Sequence, residues 1–195
     1  MCFLVSLYNL NMKIIYYKIY KLHKYKMSKN LKILLADNHT LITEIISLLS
    51  SIDNKVYNKK SNFLINHSIG QHFRHIYDFY FQFLDGLYSK KIYYEHRKRD
   101  KILESDCNSM IMSFQSIKNK LVLDDNFDLV VHYQLNDKSN SKVASNIVRE
   151  LVFIYSHALH HLAMIRGVLE SDHSFIFSDT FGFSLSTIKH KKETI

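Results

Sequence analysis

The sequence of 195 residues contains no proline, no tryptophan, only four glycines and only two cysteines. Proline and glycine interrupt helices and form turns, so their scarcity argues against a turn-rich β architecture and favours long helices. Cys2 and Cys107 lie far apart and form no CxxC motif. The sequence therefore gives no sign of a disulfide framework, and a reducing, cytoplasmic location is expected.

The net charge is +8, but the excess of positive over negative charge lies almost entirely at the beginning of the chain. Residues 1–36 contain seven lysines and no acidic residue, so they account for nearly all of the excess. The remainder is close to neutral and lacks the general basic excess that a phosphate-binding surface needs. We therefore predict no nucleic-acid partner.

The first 26 residues differ in composition from the rest of the chain. Their apolar start, Met1–Leu7, is too short for a membrane span, and its lysines follow the apolar run instead of preceding it as in a secretory signal. Met27 is an alternative start just before the first helical pattern. We predict a basic leader over 1–26, or a mis-assigned start, and a single domain over 27–195 without stable membrane insertion. A membrane-surface segment is the alternative for the leader.

Four segments carry apolar residues at helical spacing, at about 31–52, 68–88, 102–121 and 145–171. The clearest is the second, preceded by Ser68 as a predicted N-cap, whose apolar stripe consists of Ile69, Phe73, Ile76, Tyr80, Phe83 and Leu87. Between the third and fourth helices, Val130, Val131 and Tyr133 form a short β-prone connection, followed by a polar loop at 138–141. These patterns predict an all-α fold, a four-helix bundle with this β-prone connection before the last helix.

Histidines lie beside the apolar stripes of the second and fourth predicted helices. At roughly 100° per residue, His72 and His75 fall on one edge of the second helix's stripe, with His72 the more inward. His157 and His161, spaced i, i+4, fall on the same edge of the last helix, and His160 faces away. If the two helices are neighbours, these imidazoles converge into a site suited to Zn, Ni, Fe or Cu. The alternative is that they are ordinary polar residues beside the core.

Four stretches resemble motifs of the DinB-like superfamily, a group of mostly bacterial metal-binding proteins with four helices. They are residues 68–78, 94–104, 149–161 and 181–187. The resemblance implies one divalent metal ion, Zn, Ni or Fe, bound by His75, His157 and His161, with His72 as an alternative or fourth ligand. One departure is Phe79, which follows Asp78 where one subgroup often has histidine.

The resemblance implies a metal-dependent hydrolase, or a transferase that uses a low-molecular-weight thiol as cosubstrate, acting on a small molecule. It also implies a homodimer. The contrasting hypothesis is a non-catalytic module of stress response or assembly, in which the metal only holds helices together. No further catalytic group stands out. Arg97, Arg99 and Glu150 are expected either in structural pairs or in binding an anionic substrate, and Asp78 either orients a histidine or faces solvent.

Overall fold

The structure, a computed structural model, describes residues 28–171 and 175–193, and the predicted leader at 1–26 lies outside them. Its α-helices are α1 (Lys29–Ser51), α2 (Asn54–Asn58), α3 (Ile69–Gly86), α4 (Lys101–Ser105), α5 (Cys107–Lys120), α6 (Ile147–Glu170) and α7 (Leu185–Glu193). Its strands are β1 (Lys60–Ser61), β2 (His67–Ser68), β3 (Lys91–Ile92), β4 (Asp128–Gln134) and β5 (Asn140–Asn146), with a short 3₁₀-helix at Asn62–Leu64.

Helices α1, α3, α5 and α6 enclose the apolar core. Within this group, α1 packs against α5 and α6, and α3 packs against the same two helices. The stripe predicted for α3 is buried over most of its length, with Ile69, Phe73, Ile76, Tyr80 and Phe83 almost inaccessible to water. The helix predicted over 102–121 is divided in two, because Asp106 ends α4 and its carboxylate accepts a hydrogen bond from the Ser109 backbone N–H at the start of α5.

The prediction of an all-α four-helix bundle is wrong, because the described chain contains two sheets as well as helices. Strands β4 and β5 form an antiparallel hairpin from Asp128↔Asn146 to Gln134↔Asn140. The short strand β3 adds to β4 in parallel, and β1 pairs with β2 in a separate two-stranded sheet. The fold is therefore mixed α/β.

The missed strands carry little of the apolar alternation that reveals a strand in a sequence. Strand β5 reads Asn-Ser-Lys-Val-Ala-Ser-Asn, and most of it is exposed. Backbone hydrogen bonds to β4 hold it in place, and these bonds need no particular side chains. Strand β3 has only two residues, of which Ile92 is buried. For this reason the segment at 138–141 was predicted as a loop, although its last two residues begin β5.

Helix α3 starts at a capping box, as the predicted N-cap at Ser68 suggests. The Ser68 hydroxyl accepts from the Gln71 backbone N–H at 3.2 Å, and the Gln71 side chain accepts from the Ser68 N–H at 3.0 Å. In the first turn of α3, α4 lies directly against the helix: a Cβ on Gly70 would stand 2.1 Å from the Glu104 carbonyl oxygen. Glycine at position 70 thus brings the segment around Glu104 onto the first turns of α3, where the histidines lie.

Helix α1 is long and apolar enough to cross a membrane by length and composition alone. The same property fits a helix in a protein core, and eight residues of α1 are buried here, Leu31, Leu35, Asn38, Leu41, Ile42, Ile45, Leu48 and Leu49. The predicted absence of stable membrane insertion stays a prediction.

Candidate metal centre

Helices α3 and α6 pack side by side. Three of the histidines predicted beside their apolar stripes come together between them. One nitrogen from each of His75, His157 and His161 can be chosen so that all three lie within 4.8 Å of one another. The His75 Nε2 and His157 Nε2 atoms are 3.0 Å apart. The ring centroid of His161 is 4.6 Å from that of His75 and 4.7 Å from that of His157. This cluster, the histidine triad, could hold a metal ion.

His72 touches the triad from one turn earlier on α3. Its Nδ1 lies 2.9 Å from His161 Nδ1, and its side chain is buried. Its Nε2 is buried and has no hydrogen-bond partner among the described residues. His72 is therefore a neighbour of His161, outside the group of three mutually close ligand atoms. His160 is exposed, as predicted for the outer face of the helix, but its ring centroid lies 5.3 Å from that of His161.

Burial favours the neutral form of every ring in this cluster. It lowers the pKa of His75 to about 3, helped by the positive charge of Arg97, and the pKa of His157 to about 4. It lowers the pKa of His161 to about 2, with His75 as the next contributor, and it also lowers the pKa of His72. Because only a neutral imidazole has a free lone pair, the rings are in the form that binds metals near neutral pH.

Aromatic side chains pack against the triad on the side of His157. The ring centroid of Phe79 is 4.1 Å from that of His157, and Phe153 lies behind it at 5.9 Å. Tyr94 stacks on Phe79 at 5.0 Å. The phenylalanine that departs from the subgroup pattern therefore contributes packing, which restricts the orientation of the His157 ring.

Arg97 makes a contact with the triad that the sequence did not indicate. Its Nη1 lies 2.5 Å from His75 Nδ1, and its guanidinium lies 5.8 Å from the centre of the Phe79 ring. Its Nε is buried without a hydrogen-bond partner among the residues described. Arg97 was a candidate from sequence, but its segment follows α3 with no periodicity, so nothing in the sequence places it against His75.

Asp78 was expected either to orient a histidine or to face solvent, and the structure supports neither expectation. Its side chain is buried and accepts from Arg74 Nη1 at 2.8 Å. Arg74 also contacts Glu104 at 3.1 Å, and Glu104 accepts from Lys101 at 2.8 Å. Helix α4, brought close at Gly70, supplies Glu104, so this ion-pair network covers a face of α3 that the helical projection left open to water.

Glu150 belongs to a second buried polar cluster, nearer the start of α6. Its carboxylate is fully buried and accepts from Tyr94 Oη at 2.7 Å, from Arg149 Nη1 at 2.7 Å and from Ser145 Oγ. Burial and the adjacent carboxylate raise the pKa of Tyr94, so its hydroxyl remains a donor. Of the two roles expected for Glu150, the structure gives it the structural pair.

An open cleft of about 500 Å³ lies against the triad. Five histidines line it, His67, His72, His75, His160 and His161, and its charged lining residues are Arg74, Arg97, Arg99, Lys101 and Glu104. Arg74 and Lys101 are paired with carboxylates, whereas Arg97 and Arg99 form no ion pair with any described residue. The cleft thus carries an excess of positive charge beside the histidines.

Comparisons of the chain with protein-family models, with curated proteins and with solved structures give no match. The similarity to the DinB-like superfamily stays a prediction, and the candidate site rests on the chain's own geometry.

Proposed function

We propose that this protein binds one divalent transition-metal ion through His75, His157 and His161 and uses it in hydrolysis or thiol transfer on a small molecule. The observation that carries the proposal is the convergence of three nitrogens within 4.8 Å, two of them on rings that line an open cleft. A site that only strengthened the fold would have no need of this opening.

The chemistry of the donor set fits such an ion. Imidazole nitrogens suit Zn, Ni and Fe, and three protein ligands leave a coordination position for water or substrate. A bound ion of this kind supplies a Lewis acid that makes water or a thiol a better nucleophile near neutral pH. The choice between a hydrolase and a thiol-dependent transferase rests on the resemblance to the DinB-like superfamily.

The chain's own residues prepare the site in two ways. Phe79 and Phe153 exclude water from one side of His157 and hold its ring in place. The rigid helices α3 and α6 fix the separation of the ligands, and the capping box at Ser68 fixes the beginning of α3. Small-molecule substrates reach the triad through the cleft, from the side where His75 and His161 are accessible.

One contact favours the non-catalytic alternative. His72 Nδ1 lies 2.9 Å from His161 Nδ1, so a modest ring movement would add a fourth nitrogen and close the coordination sphere, as in structural zinc sites. Such a protein would be a metal-stabilised module without a reaction. The expected homodimer and cytoplasmic location stay predictions from the sequence.

Elemental analysis of the purified protein tests the proposal directly. We expect about one equivalent of Zn, Ni or Fe in the wild type, and a loss of affinity beyond roughly 100-fold in His161→Ala, since even residues that only orient a ligand contribute 10–100-fold. His160→Ala, which changes the adjacent exposed histidine, is the matched control and should retain the metal. Absence of metal from the wild type, with no change in melting temperature on adding Zn²⁺ or a chelator, would overturn the proposal.

A further inference from the structure

Arg97 occupies a position beside the triad that is incompatible with a metal ion on His75. An arginine side chain has five N–H donors and no acceptor, so His75 Nδ1 must accept the hydrogen bond from Arg97 Nη1 at 2.5 Å. The proton of the neutral His75 ring is then on Nε2, which donates to His157 Nε2 at 3.0 Å. In this state neither nitrogen of His75 has a lone pair free for a metal.

Metal binding must therefore break the contact between Arg97 and His75, whichever nitrogen becomes the ligand. If Nδ1 binds the ion, the ion takes the place of the guanidinium. If Nε2 binds it, the ring proton moves to Nδ1, where it would face the Arg97 donor. In both cases the guanidinium also gains an unfavourable interaction with a nearby dication.

In the position that the structure shows, the Arg97 guanidinium forms no ion pair with any described carboxylate. Of the two acidic residues whose charge acts on it, Asp78 pairs with Arg74, and Glu95 accepts from the Gln134 backbone N–H. The Arg97 Nε has no hydrogen-bond partner among the described residues, and Arg99, which forms no ion pair with any of them, lines the same cleft.

We propose that Arg97 blocks the triad in the metal-free protein and, once metal binds, turns into the cleft and together with Arg99 binds an anionic group of the substrate. Metal and anion then bind cooperatively, each raising the affinity for the other by the same factor. The anionic group is a carboxylate or a tetrahedral oxyanion, both of which match the planar guanidinium. This inference rests on the proposed function, since it needs a metal at the triad.

Zinc affinity, measured by competition with a chromophoric chelator at constant ionic strength, tests the cooperativity. The probes are sulfate, which stands for a tetrahedral oxyanion, and succinate, which stands for a carboxylate. We expect one of them to raise the wild-type affinity for Zn²⁺ at least about fivefold, the lower end of typical coupling between sites. The probe with the larger effect identifies the class of anion.

Arg97→Gln separates this mechanism from simple ligation of the anion by zinc. Without an anion, the variant should bind Zn²⁺ about tenfold more tightly than the wild type, because a charge-assisted hydrogen bond no longer competes with the metal. The effect of sulfate or succinate should disappear. Lys98→Gln removes a neighbouring cation outside the cleft and should behave like the wild type in both respects.

Nitrogen NMR of the histidine rings in the wild-type protein provides a readout that needs no variant. We expect His75 to carry its proton on Nε2 in the metal-free protein and to lose that state when Zn²⁺ binds. A wild type that binds one zinc but shows no anion effect, or an Arg97→Gln protein that binds zinc no more tightly, would overturn this inference and leave the proposed function intact. A wild type that binds no zinc would overturn both.

Discussion

Helix α6 contributes to two buried polar clusters that differ in how well their hydrogen bonds are satisfied. Around Glu150, one carboxylate accepts from Tyr94, Arg149 and Ser145, so acceptor and donors match. Around His157 and His161, two to three turns further along, ring nitrogens face one another, Arg97 contacts His75, and two buried nitrogens lack partners among the described residues.

The difference indicates which cluster stabilises the fold and which one binds a ligand. Buried polar groups that serve stability are hydrogen-bonded, because leaving one unpaired costs about 1–3 kcal/mol. The Glu150 cluster meets this condition with the chain's own atoms. The histidine cluster does not, because His72 Nε2 and Arg97 Nε lack partners among the described residues and the contacts printed for the triad nitrogens are with other histidines and with Arg97. The comparison therefore supports a structural role for Glu150 and a binding role for the triad.

The largest effect on stability is expected from removing the carboxylate at the centre of the Glu150 cluster. Glu150→Ala should lower the free energy of unfolding by about 3–5 kcal/mol, because the Tyr94 and Ser145 hydroxyls each lose a charged acceptor, at roughly 1.5–3 kcal/mol per hydrogen bond. Urea denaturation of the metal-free protein measures the change. Glu170→Ala, which breaks the more exposed pair with Arg166, is the control and should cost no more than about 1 kcal/mol. A loss for Glu150→Ala as small as that of the control would contradict the comparison.

The second prediction concerns the histidine cluster, whose contribution to stability should depend on added metal. In the metal-free protein, His157→Leu should lower the free energy of unfolding by about 1–3 kcal/mol, since it leaves the proton on His75 Nε2 without its acceptor. With free Zn²⁺ at 100 times the dissociation constant, the wild type should gain about 2.7 kcal/mol and the variant should gain almost nothing. Chemical denaturation with and without Zn²⁺ measures both. A variant stabilised by zinc as much as the wild type would exclude His157 as a ligand.

Much of the helical framework could be predicted from the sequence, because each long helix has an apolar stripe of its own. Ile69, Phe73, Ile76, Tyr80 and Phe83 show the helical period, and all five are buried. The class of the fold could not be predicted, since β5 forms through backbone pairing with β4 and its side chains are mostly exposed. Local periodicity reports a helix or strand that buries its own apolar face, and β5 has none to bury.

Part of the candidate site could also be predicted from the sequence, and part could not. The edges that carry His75, His157 and His161 follow from helical geometry, and the resemblance selected His75 over His72, whereas periodicity had slightly favoured His72. The contact of Arg97 with His75 and the burial of Asp78 depend on how the segment from 97 to 104 folds back over α3. That placement is tertiary, and the only local signal for it is Gly70, whose missing Cβ permits the close approach.

A smaller effect is expected at His72, which decides between an open and a closed site. His72→Ala should retain one equivalent of metal with an affinity lowered about 10-fold to 100-fold, as is typical when a residue that orients a ligand is lost. Chelator competition measures the affinity, and cobalt-substituted protein reports the coordination number through its visible absorption. A loss as large as that in His161→Ala, with a spectrum that changes from four protein ligands to three, would favour the non-catalytic module with His72 as the fourth ligand.

The smallest predicted effect is the number of protons that the histidine rings release when zinc binds. Three exposed histidines with an ordinary pKa near 6.5 would be half protonated at that pH and would release about 1.5 protons on binding a metal. The pKa values of His75, His157 and His161 are lowered to about 3, 4 and 2. The rings are therefore already neutral at pH 6.5, and zinc binding should release well under one proton. Calorimetric titration in two buffers with different ionisation enthalpies measures that number. Release of more than one proton per zinc would mean that the rings are protonated before the metal binds, and that burial does not prepare the triad for it.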